Sequence, residues 1–401
     1  MNVLYIAYSC SPVHGSEDAI GWNIPVESAK NNTVFVITKE EQRRFIEKHP
    51  KPENIRFFYV DIPKAYKKIF KGPFYSGRLN IWHRKAVKLA QEVCWRENID
   101  LIHQITPIEF RSIGNYGKIP GVKFVCGPIA GGQEIPKALL SYTGRHIWIE
   151  RFRSFVNGVY RLSCKMGGKL RQCDYLLFAN RETKEALCAK AFPEDRTCVL
   201  TDVSVKTQDL AECRTKKTSQ KCVFLVAGRL VYLKGHMLLL DALARIPKNL
   251  DFECRVVGDG PEMAKLKEKC RQYALEGKVI FMGRKPYTEM SAVYSAADVF
   301  VMPSFREATG SVLLEAMAQA LPVVTINRFG GATILNETAG WLYDGETREE
   351  IITQLADILT YCVCNLDEVL RRGKGARAIA EGCTWEKRMN KYQSIYEERI
   401  R

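Results

Sequence analysis

Two glutamates in one short stretch have the residue type and spacing to do chemistry on a bound ligand. An apolar run at residues 299–302 indicates a buried strand, and Gly310 with Ser311 opens a helix after it. Glu307 therefore lies in the strand-to-helix loop, and Glu315 lies more than one turn into the helix. Apolar neighbours on both sides of Glu315 predict a buried helix whose carboxylate needs hydroxyl, amide or cationic partners. The alternative for either glutamate is an ordinary solvent-facing side chain.

The composition favours a two-domain, cytoplasmic chain. Its 401 residues, 46% of them hydrophobic, suffice for two large cores. No cationic leader precedes a long apolar run at the start, and no apolar stretch is long enough to span a membrane. The 14 cysteines are scattered, without C-x-x-C or zinc-site spacing. We therefore expect reduced thiols, no metal site and no export signal.

The formal charge of +15 is concentrated in the first half, where basic residues alternate with large aromatic ones. The first basic cluster consists of Lys64, Lys67, Lys68, Lys71, Arg78, Arg84, Lys85 and Lys88, with Tyr66, Phe70, Phe74, Tyr75 and Trp82. The second consists of Arg145, Arg151, Arg153, Arg161, Lys165, Lys169 and Arg171, with Trp148, Phe152 and Phe155. Such mixtures suit an anionic membrane surface, where each cation contributes about 1 kcal/mol. Nucleic acid is the competing target, and a merely solvated basic face stays open.

Strands alternate with helices along the chain, which predicts parallel α/β sheets. In the first half, residues 1–205, Gly15 follows the first strand in a loop that lets a ligand approach the backbone, and Ser16 could cap the next helix. The glycine-rich turn at residues 127–132 could point amides at an anion or could be a tight connection. The polar, lysine-rich residues 206–221 are predicted to be a linker.

The second half, residues 222–383, contains five predicted strands followed by loops. The strands are residues 222–227, 254–257, 279–282, 299–302 and 323–326. In a parallel α/β sheet these loops all emerge at the carboxyl edge, where ligands bind. The loops are therefore predicted to converge on one site.

The converging loops carry a specific set of groups. Arg229 and Lys234, beside glycine-freed amides, are cations that suit a diphosphate, although either one alone could be a surface charge. The turn at Gly258 admits a flat base against the backbone. Glu307 and Glu315 supply acceptors for sugar hydroxyls. In outline this is a nucleotide-sugar pocket.

These motifs resemble those of family 4 glycosyltransferases, retaining enzymes of the GT-B fold. G-R-L-x-x-x-K-G, V-G-D-G-P and E-x7-E, found in the family's donor domain, occur here in order at residues 228–235, 257–261 and 307–315. The first half resembles one branch of the family through S-P-x-x-G-S-E-x-x-x-G-W at residues 11–22 and G-P-x-x-G-G at residues 127–132. The resemblance covers essentially the whole chain.

The resemblance implies a GT-B architecture: two Rossmann-like parallel-sheet domains facing each other across a cleft. Residues 1–205 would form the acceptor-side domain, and residues 222–383 the nucleotide-sugar donor domain. Residues 384–401 would form the closing helix, which crosses back to the first domain.

The resemblance also implies roles for individual residues. Arg229 and Lys234 would hold the donor diphosphate and neutralise charge on the departing nucleotide, Glu315 would bind ribose hydroxyls, and Glu307 would bind the transferred sugar. Further substrate contacts would come from Gly15, Gly228, Gly258, Thr309, Gly310 and Ser311. No D-x-D occurs in the sequence, which fits metal-free stabilisation of the leaving group by cations and helix ends. The nucleoside diphosphate sugar would be a co-substrate, with no other cofactor.

Three departures from the family pattern concern sugar contacts. The D-x-x-H-x-H-x-x-P of many relatives is D-L-I-H-Q-I-T-P at residues 100–107, with Ile105 in place of the second histidine. His103 or another group would replace that contact, or the contact is dispensable. Thr309 stands where the usual residue is Phe, and the G-G-x-x-E motif lacks its acid at residues 330–334.

The sequence thus predicts a retaining hexosyltransferase for bacterial surface-polysaccharide assembly, with a saccharide or lipid-linked saccharide as its acceptor. The enzyme would act peripherally at the inner face of the membrane. Three alternatives remain open. A GT-B-fold epimerase would act on the nucleotide-sugar with no acceptor, and a non-catalytic partner would bind it without turnover. A nucleic-acid binder would account for the charge but not for the E-x7-E stretch.

Overall fold

The computed structural model describes residues 1–70, 75–166, 168–188, 192–213 and 221–400. The chain divides into two compact units. Unit 1 consists of Met1–Gln133, Arg151–Val203 and Trp385–Arg401, and unit 2 consists of Glu134–Glu150 and Ser204–Thr384. Parts of the predicted basic clusters and linker lie outside the described residues, namely Lys71, Phe74, residues 214–220 and the side chains of Lys64, Lys67, Lys68 and Lys165.

Unit 1 is built on a seven-stranded parallel sheet in the order β3-β2-β1-β4-β5-β6-β7. Its strands are β1 Asn2–Ala7, β2 Thr33–Lys39, β3 Ile55–Val60, β4 Leu101–Thr106, β5 Lys123–Ile129, β6 Tyr175–Phe178 and β7 Thr197–Val199. Every residue of β4 is buried. A hydrophobic core covers each face of the central strands. Their sequences are therefore continuous apolar runs.

Unit 2 contains a six-stranded parallel sheet in the order β10-β9-β8-β11-β12-β13. Its strands are β8 Cys222–Ala227, β9 Phe252–Val257, β10 Val279–Gly283, β11 Val299–Met302, β12 Val323–Ile326 and β13 Gly340–Tyr343. The five predicted strands are confirmed. The sequence analysis missed β13, a four-residue strand at the sheet edge that is only half buried in its middle.

Helices connect the strands of both sheets. They are α1 Glu17–Ser28, α2 Arg43–Ile46, α3 Lys64–Ile69, α4 Tyr75–Glu97, α5 Ile147–Lys165, α6 Arg181–Leu187, α7 His236–Leu243, α8 Met263–Gln272, α9 Tyr287–Ser295, α10 Ser311–Ala318, α11 Phe329–Ile334, α12 Arg348–Cys364, α13 Leu366–Glu381 and α14 Trp385–Ile395. The predicted fold class, two Rossmann-like parallel-sheet domains, is confirmed. No helix in the described ranges is long and apolar enough to cross a membrane.

The observed division differs from the predicted domain boundary at Glu134–Glu150, which the sequence analysis placed in the first domain. In the structure, Ile135 and Leu139 belong to the core of unit 2. Tyr142 adds a hydrogen bond from its hydroxyl to Asp241 Oδ2 at 2.5 Å. Apolar burial and this polar contact together fix the segment to unit 2, although it lies between two parts of unit 1 in sequence.

The C-terminal helix α14 returns to unit 1, as predicted. Trp385, Met389 and Tyr392 are buried in one of the two cores that flank the unit 1 sheet. Tyr396 follows α14 and is fully buried, with its hydroxyl 2.6 Å from His103 Nδ1. The end of the chain is therefore an integral part of the first unit.

Candidate active site

The loops that follow β8, β9 and β11 meet at the carboxyl edge of the unit 2 sheet. Leu230 N donates to Asp259 O at 2.9 Å, which ties the first two loops together. Phe305 N donates to Leu233 O at 2.8 Å and joins the third loop to the first. The predicted convergence of these loops is confirmed, and backbone hydrogen bonds hold it.

Two glycines allow this convergence. Gly258 has φ +138°, and a Cβ there would lie 1.9 Å from Gly228 O. Gly235 has φ +69°, and a Cβ there would lie 1.9 Å from Pro303 O. Neither position tolerates a side chain, so the two turns bring backbone against backbone and leave the side chains at the edge to face one another.

Lys234, at the end of the loop after β8, contacts Glu307 in the loop after β11. The Lys234 ammonium donates to Glu307 Oε1. The two side chains are 29% and 15% exposed, so the pair is accessible from one side only. The cation predicted to hold a diphosphate and the carboxylate predicted to hold a sugar are thus in direct contact.

Arg229 lies five residues before Lys234 on the same loop and is exposed. It forms no ion pair with any described residue. Its guanidinium keeps its donors available at the edge of the sheet, which suits the predicted role in binding a diphosphate. Gly228, which precedes it, makes the close backbone contact with Gly258 and carries no side chain toward the site.

Glu315 is the polar group of an otherwise apolar helix, as predicted. Its Oε2 accepts a hydrogen bond from Tyr294 Oη at 3.0 Å. Burial raises the pKa of the Glu315 carboxyl, and hydrogen bonds from Tyr294 and Ser311 partly offset that rise. Glu315 lines a cavity of about 320 Å³ together with Asp209 and Tyr287. The carboxylate is therefore held in place by neighbours and still open to a ligand.

The segment between the two glutamates forms the start of α10. Gly310 lies at the N-cap with φ +86°. It has no side chain that could accept a hydrogen bond, so the first amides of the helix need other acceptors. Thr309 is fully buried. Ser311 is the first helical residue and hydrogen bonds to Glu315. Their predicted substrate contacts remain predictions.

A buried ion pair beside the site could not be inferred from spacing. Arg306 precedes Glu307 and donates to Glu150 Oε2, although the two residues are 156 positions apart. Tyr232 Oη donates to the other oxygen of Glu150 at 2.7 Å. Because Tyr232 and Arg306 lie on the loops that carry Lys234 and Glu307, Glu150 cross-links those loops.

Two features of unit 1 correct the expectations about anion-binding loops. Ser16 is at the N-cap of α1, but its side chain makes no capping hydrogen bond. In the turn at residues 127–132, the carbonyls of Gly131 and Gly132 accept from Arg153 and Arg161, and Gly131 N donates to Gln133 Oε1 at 2.9 Å. Cations thus bind the two carbonyls of this turn, and the Gln133 side chain occupies the Gly131 amide.

Gly15 and His103 have opposite environments in unit 1. No atom lies within 4 Å of the position of a Cβ on Gly15, so its backbone is open to a ligand as predicted. His103 is fully buried, with Nδ1 bonded to Tyr396 Oη at 2.6 Å and Nε2 to Gly127 O at 2.8 Å. Burial lowers its pKa to about 3. The prediction that His103 contacts substrate is corrected, because both ring nitrogens serve the core and no surface of the ring is exposed.

Among the described residues, no group of three or more His, Cys, Asp or Glu side chains is placed to hold a metal ion. The polar groups at the site are the Lys234–Glu307 pair, Arg229 and Glu315 with its tyrosine partner. Such a set can bind hydroxyls and a diphosphate at the same time.

The sequence and structure comparisons agree with this geometry. Residues 210–370 match the family model described as glycosyl transferases group 1. The chain is 32% identical over 190 residues to the D-inositol 3-phosphate glycosyltransferase of Corynebacterium kroppenstedtii, which covers 45% of this chain and only 41% of that relative. It is 23% identical over 412 residues to the N-acetyl-alpha-D-glucosaminyl L-malate synthase of Bacillus anthracis, covering 99% of this chain and 98% of that relative.

A solved structure of similar fold is a glycosyltransferase from Rickettsia africae ESF-5. The two chains share 19% sequence identity and superpose with a TM-score of 0.67, covering 100% of this chain and 98% of that one. At this level of identity the likeness establishes the fold, which is GT-B.

Proposed function

We propose that the chain, whose residues 210–370 match the glycosyl transferases group 1 model, is a retaining, metal-independent hexosyltransferase of family 4. It transfers a hexose-like sugar from a nucleoside diphosphate sugar to a saccharide acceptor. We place the acceptor on a lipid carrier and the reaction in the assembly of a bacterial surface polysaccharide, either capsule, exopolysaccharide or lipopolysaccharide. The predicted cytoplasmic location stays a prediction.

The contact between Lys234 and Glu307 is the observation that carries this proposal. The cation that we assign to the diphosphate is thus in contact with the carboxylate that we assign to the sugar, as the junction between the diphosphate and the sugar of a donor requires. Glu315 lies on the helix that begins in the same loop and takes the ribose hydroxyls. Arg229 and Lys234 neutralise the charge that develops on the departing diphosphate, which is the part a metal ion plays elsewhere.

Retention of configuration follows from attack on the face that the leaving group vacates. The bond between the anomeric carbon and the phosphate oxygen breaks, and the acceptor oxygen bonds to the same face of that carbon. The acceptor proton passes to the departing phosphate oxygen, so the step needs no protein nucleophile. Lys234 and Arg229 lower the barrier because they bind the diphosphate more tightly as its charge grows.

The exposed face of α5 supports association with an anionic membrane. In unit 1 this helix and the turn after it carry an apolar stripe, defined by the exposed residues Phe152, Phe155, Val159, Leu162 and Met166. Its opposite face is polar, with Arg153 and Arg161 bonded to backbone carbonyls and Asn157 fully buried. A helix with its apolar side outward and cations around it fits the interface of an anionic bilayer.

The donor half of the proposal is tested by thermal shift of the purified chain against UDP-, GDP-, ADP- and dTDP-sugars. We expect one nucleotide to stabilise the protein selectively and Glu315→Ala to lose that shift. Radiolabelled sugar from that donor should then pass to a lipid-linked saccharide, with the anomeric configuration of the product read by NMR. An epimerised donor without transfer would support the epimerase, and donor binding without turnover would support the non-catalytic partner.

A further inference from the structure

Unit 1 contains a second cavity, which is lined by none of the predicted site residues. Its volume is about 760 Å³, and it lies among α4, the segment after β4, α5 and the short helix at Lys169–Gln172. We call it the cation cavity, after the residues Arg84, Lys88, Arg111 and Lys169, which line it together with apolar Phe110 and Ile113.

The positive charge of the cation cavity is largely uncompensated. No Asp or Glu is among the described residues that line it. Glu109 pairs with Arg111, but Arg84, Lys88 and Lys169 form no ion pair with a described residue. Three cations gathered at one cavity without a counter-charge are ready to bind an anion.

The lowered pKa values of two cavity residues reflect burial and the neighbouring positive charges. Burial and the neighbouring charge of Arg84 lower the pKa of Lys169, whose ammonium donates to Asn80 Oδ1 at 3.1 Å. His83 also lines the cavity and is held by Tyr116, with 2.8 Å between His83 Nδ1 and the hydroxyl. Burial and the charge of Lys169 lower the pKa of His83 to about 3, so the imidazole is neutral. An anion between Arg84 and Lys169 would relieve their repulsion.

The cation cavity adjoins the helix that carries the apolar stripe. Tyr160 and Cys164 of α5 form one wall. Val159 and Leu162, on the same two turns, are 55% and 58% exposed. A phosphate-bearing lipid could occupy both features, since its anionic group would bind in the cation cavity and its apolar chain would pack on the apolar stripe. A free phosphate would use the cavity alone.

We propose that the cation cavity binds a phosphate-class anion, and that this anion is the phosphate or diphosphate of the lipid-linked acceptor. The lipid assignment rests on the proposed function, whereas the anion site rests on the cavity itself. The site would hold the acceptor by the group that joins its saccharide to the lipid and leave the saccharide free to react.

The experiment compares the wild type with Arg84→Gln/Lys169→Gln and with Arg96→Gln. Arg96 is exposed on α4 outside the cavity, so it controls for loss of surface charge. The probes are inorganic pyrophosphate, measured by calorimetry, and vesicles of phosphatidylcholine with and without polyprenyl diphosphate, measured by cosedimentation. We expect the double variant to bind pyrophosphate and the polyprenyl diphosphate vesicles at least about tenfold more weakly, because two charge-assisted contacts are lost. Its melting temperature should not fall, because a repulsion is removed.

Each outcome bears on one part of the proposal. Failure of the wild type to bind pyrophosphate and the lipid vesicles, or an equal loss in Arg96→Gln, would overturn the anion site. Pyrophosphate binding without any gain from polyprenyl diphosphate in the vesicles would overturn the lipid assignment. Donor thermal shift in the same samples separates this proposal from the proposed function. If no donor binds while the cavity still discriminates between the variants, the transferase proposal fails and the anion site stands.

Discussion

Lys234 donates to Glu307, so the cation assigned to the donor diphosphate and the carboxylate assigned to the donor sugar neutralise one another. A diphosphate that binds Lys234 must therefore compete with that carboxylate for the ammonium, or share the ammonium with it. On the proposed function, Glu307 would weaken binding of the nucleotide product and strengthen binding of the sugar.

The Glu307→Gln variant separates these two effects. We expect it to bind the nucleoside diphosphate about two- to fivefold more tightly, the scale of a partly exposed ion pair. Transfer should fall at least about tenfold, because the amide is a poorer acceptor for sugar hydroxyls. Calorimetry with the nucleoside diphosphate and initial-rate assays measure the two quantities. Glu337→Gln, an exposed position in unit 2, is the matched control, and weaker nucleotide binding by Glu307→Gln would contradict the assignment.

Lys234→Ala tests the other half of the pair. We expect transfer to be abolished while the far-UV circular dichroism and the melting temperature stay close to those of the wild type, since the side chain lies at the edge of the site and outside the core. Unchanged transfer would remove Lys234 from the reaction. A large loss of stability would instead show that the pair holds the two loops together.

Tyr294 is expected to act as a positioning residue through Glu315. Tyr294→Phe keeps the ring but removes the 3.0 Å hydrogen bond to Glu315 Oε2. We expect KM for the donor to rise several-fold with little change in kcat, because a carboxylate that binds ribose acts on the ground state and the transition state alike. Tyr361→Phe, at an exposed tyrosine of unit 2, is the control. A fall in kcat at unchanged KM would argue against this role.

The sequence predicted what depends on local pattern. Strand β11 and helix α10 follow from an apolar run and a glycine, and the buried neighbours of the half-buried Glu315 follow from the apolar residues on both sides of it. The contact between Glu150 and Arg306 joins residues 156 positions apart, and no periodicity reports such a distance. Tyr294 could have been suspected only as a tyrosine on α9, the helix that precedes β11, whereas Glu315 lies on α10, the helix that follows it.

The sequence analysis assigned Phe152 and Phe155 of helix α5 to a membrane-facing cluster, but it did not identify the contacts that orient this helix, and it assigned His103 wrongly. Amphipathic periodicity predicts that a helix has an apolar face but not that this face is outward, which depends on carbonyls at Gly131 and Gly132 that bind arginines. His103 was assigned by its place in a motif, whereas its partner Tyr396 lies 293 residues away. Sequence reasoning therefore found the edge that carries the site and missed the long-range contacts that brace it.

Glu17 predicts a pH dependence for unit 1. It lies in the motif at residues 11–22 and accepts from Ile108 N at 2.7 Å. Burial raises the pKa of its carboxyl from the ordinary 4.5 to about 7. The folded state therefore holds the proton more tightly than the unfolded state does, and its stability is full below pH 4.5 and declines as the pH rises to 7.

The Glu17→Gln variant should flatten this profile. We expect it to raise the free energy of unfolding above pH 7 by about 1 kcal/mol or more, since one pKa unit corresponds to about 1.4 kcal/mol, and to have little effect at low pH. Urea unfolding across this range measures it, with Glu53→Gln as an exposed control in the same unit. A loss of stability at pH values above 7 that disappears at low pH would instead show that the charged carboxylate is the form the fold requires.

The apolar stripe on α5 predicts membrane binding that can be removed without harm to the fold. Phe155 and Leu162 are 70% and 58% exposed, so Phe155→Ser/Leu162→Ser should leave the melting temperature unchanged. Burying such side chains in a bilayer is worth about 1.5–3 kcal/mol each, so we expect binding to phosphatidylcholine and phosphatidylglycerol vesicles to weaken at least about tenfold. Trp95→Ser, at an 83% exposed position on α4, is the control for loss of a surface apolar group. Equal loss in the control, or full binding by the double variant, would assign the membrane contact to another face. Loss confined to the double variant and enhanced at high salt would show that apolar insertion and attraction by the surrounding cations act together.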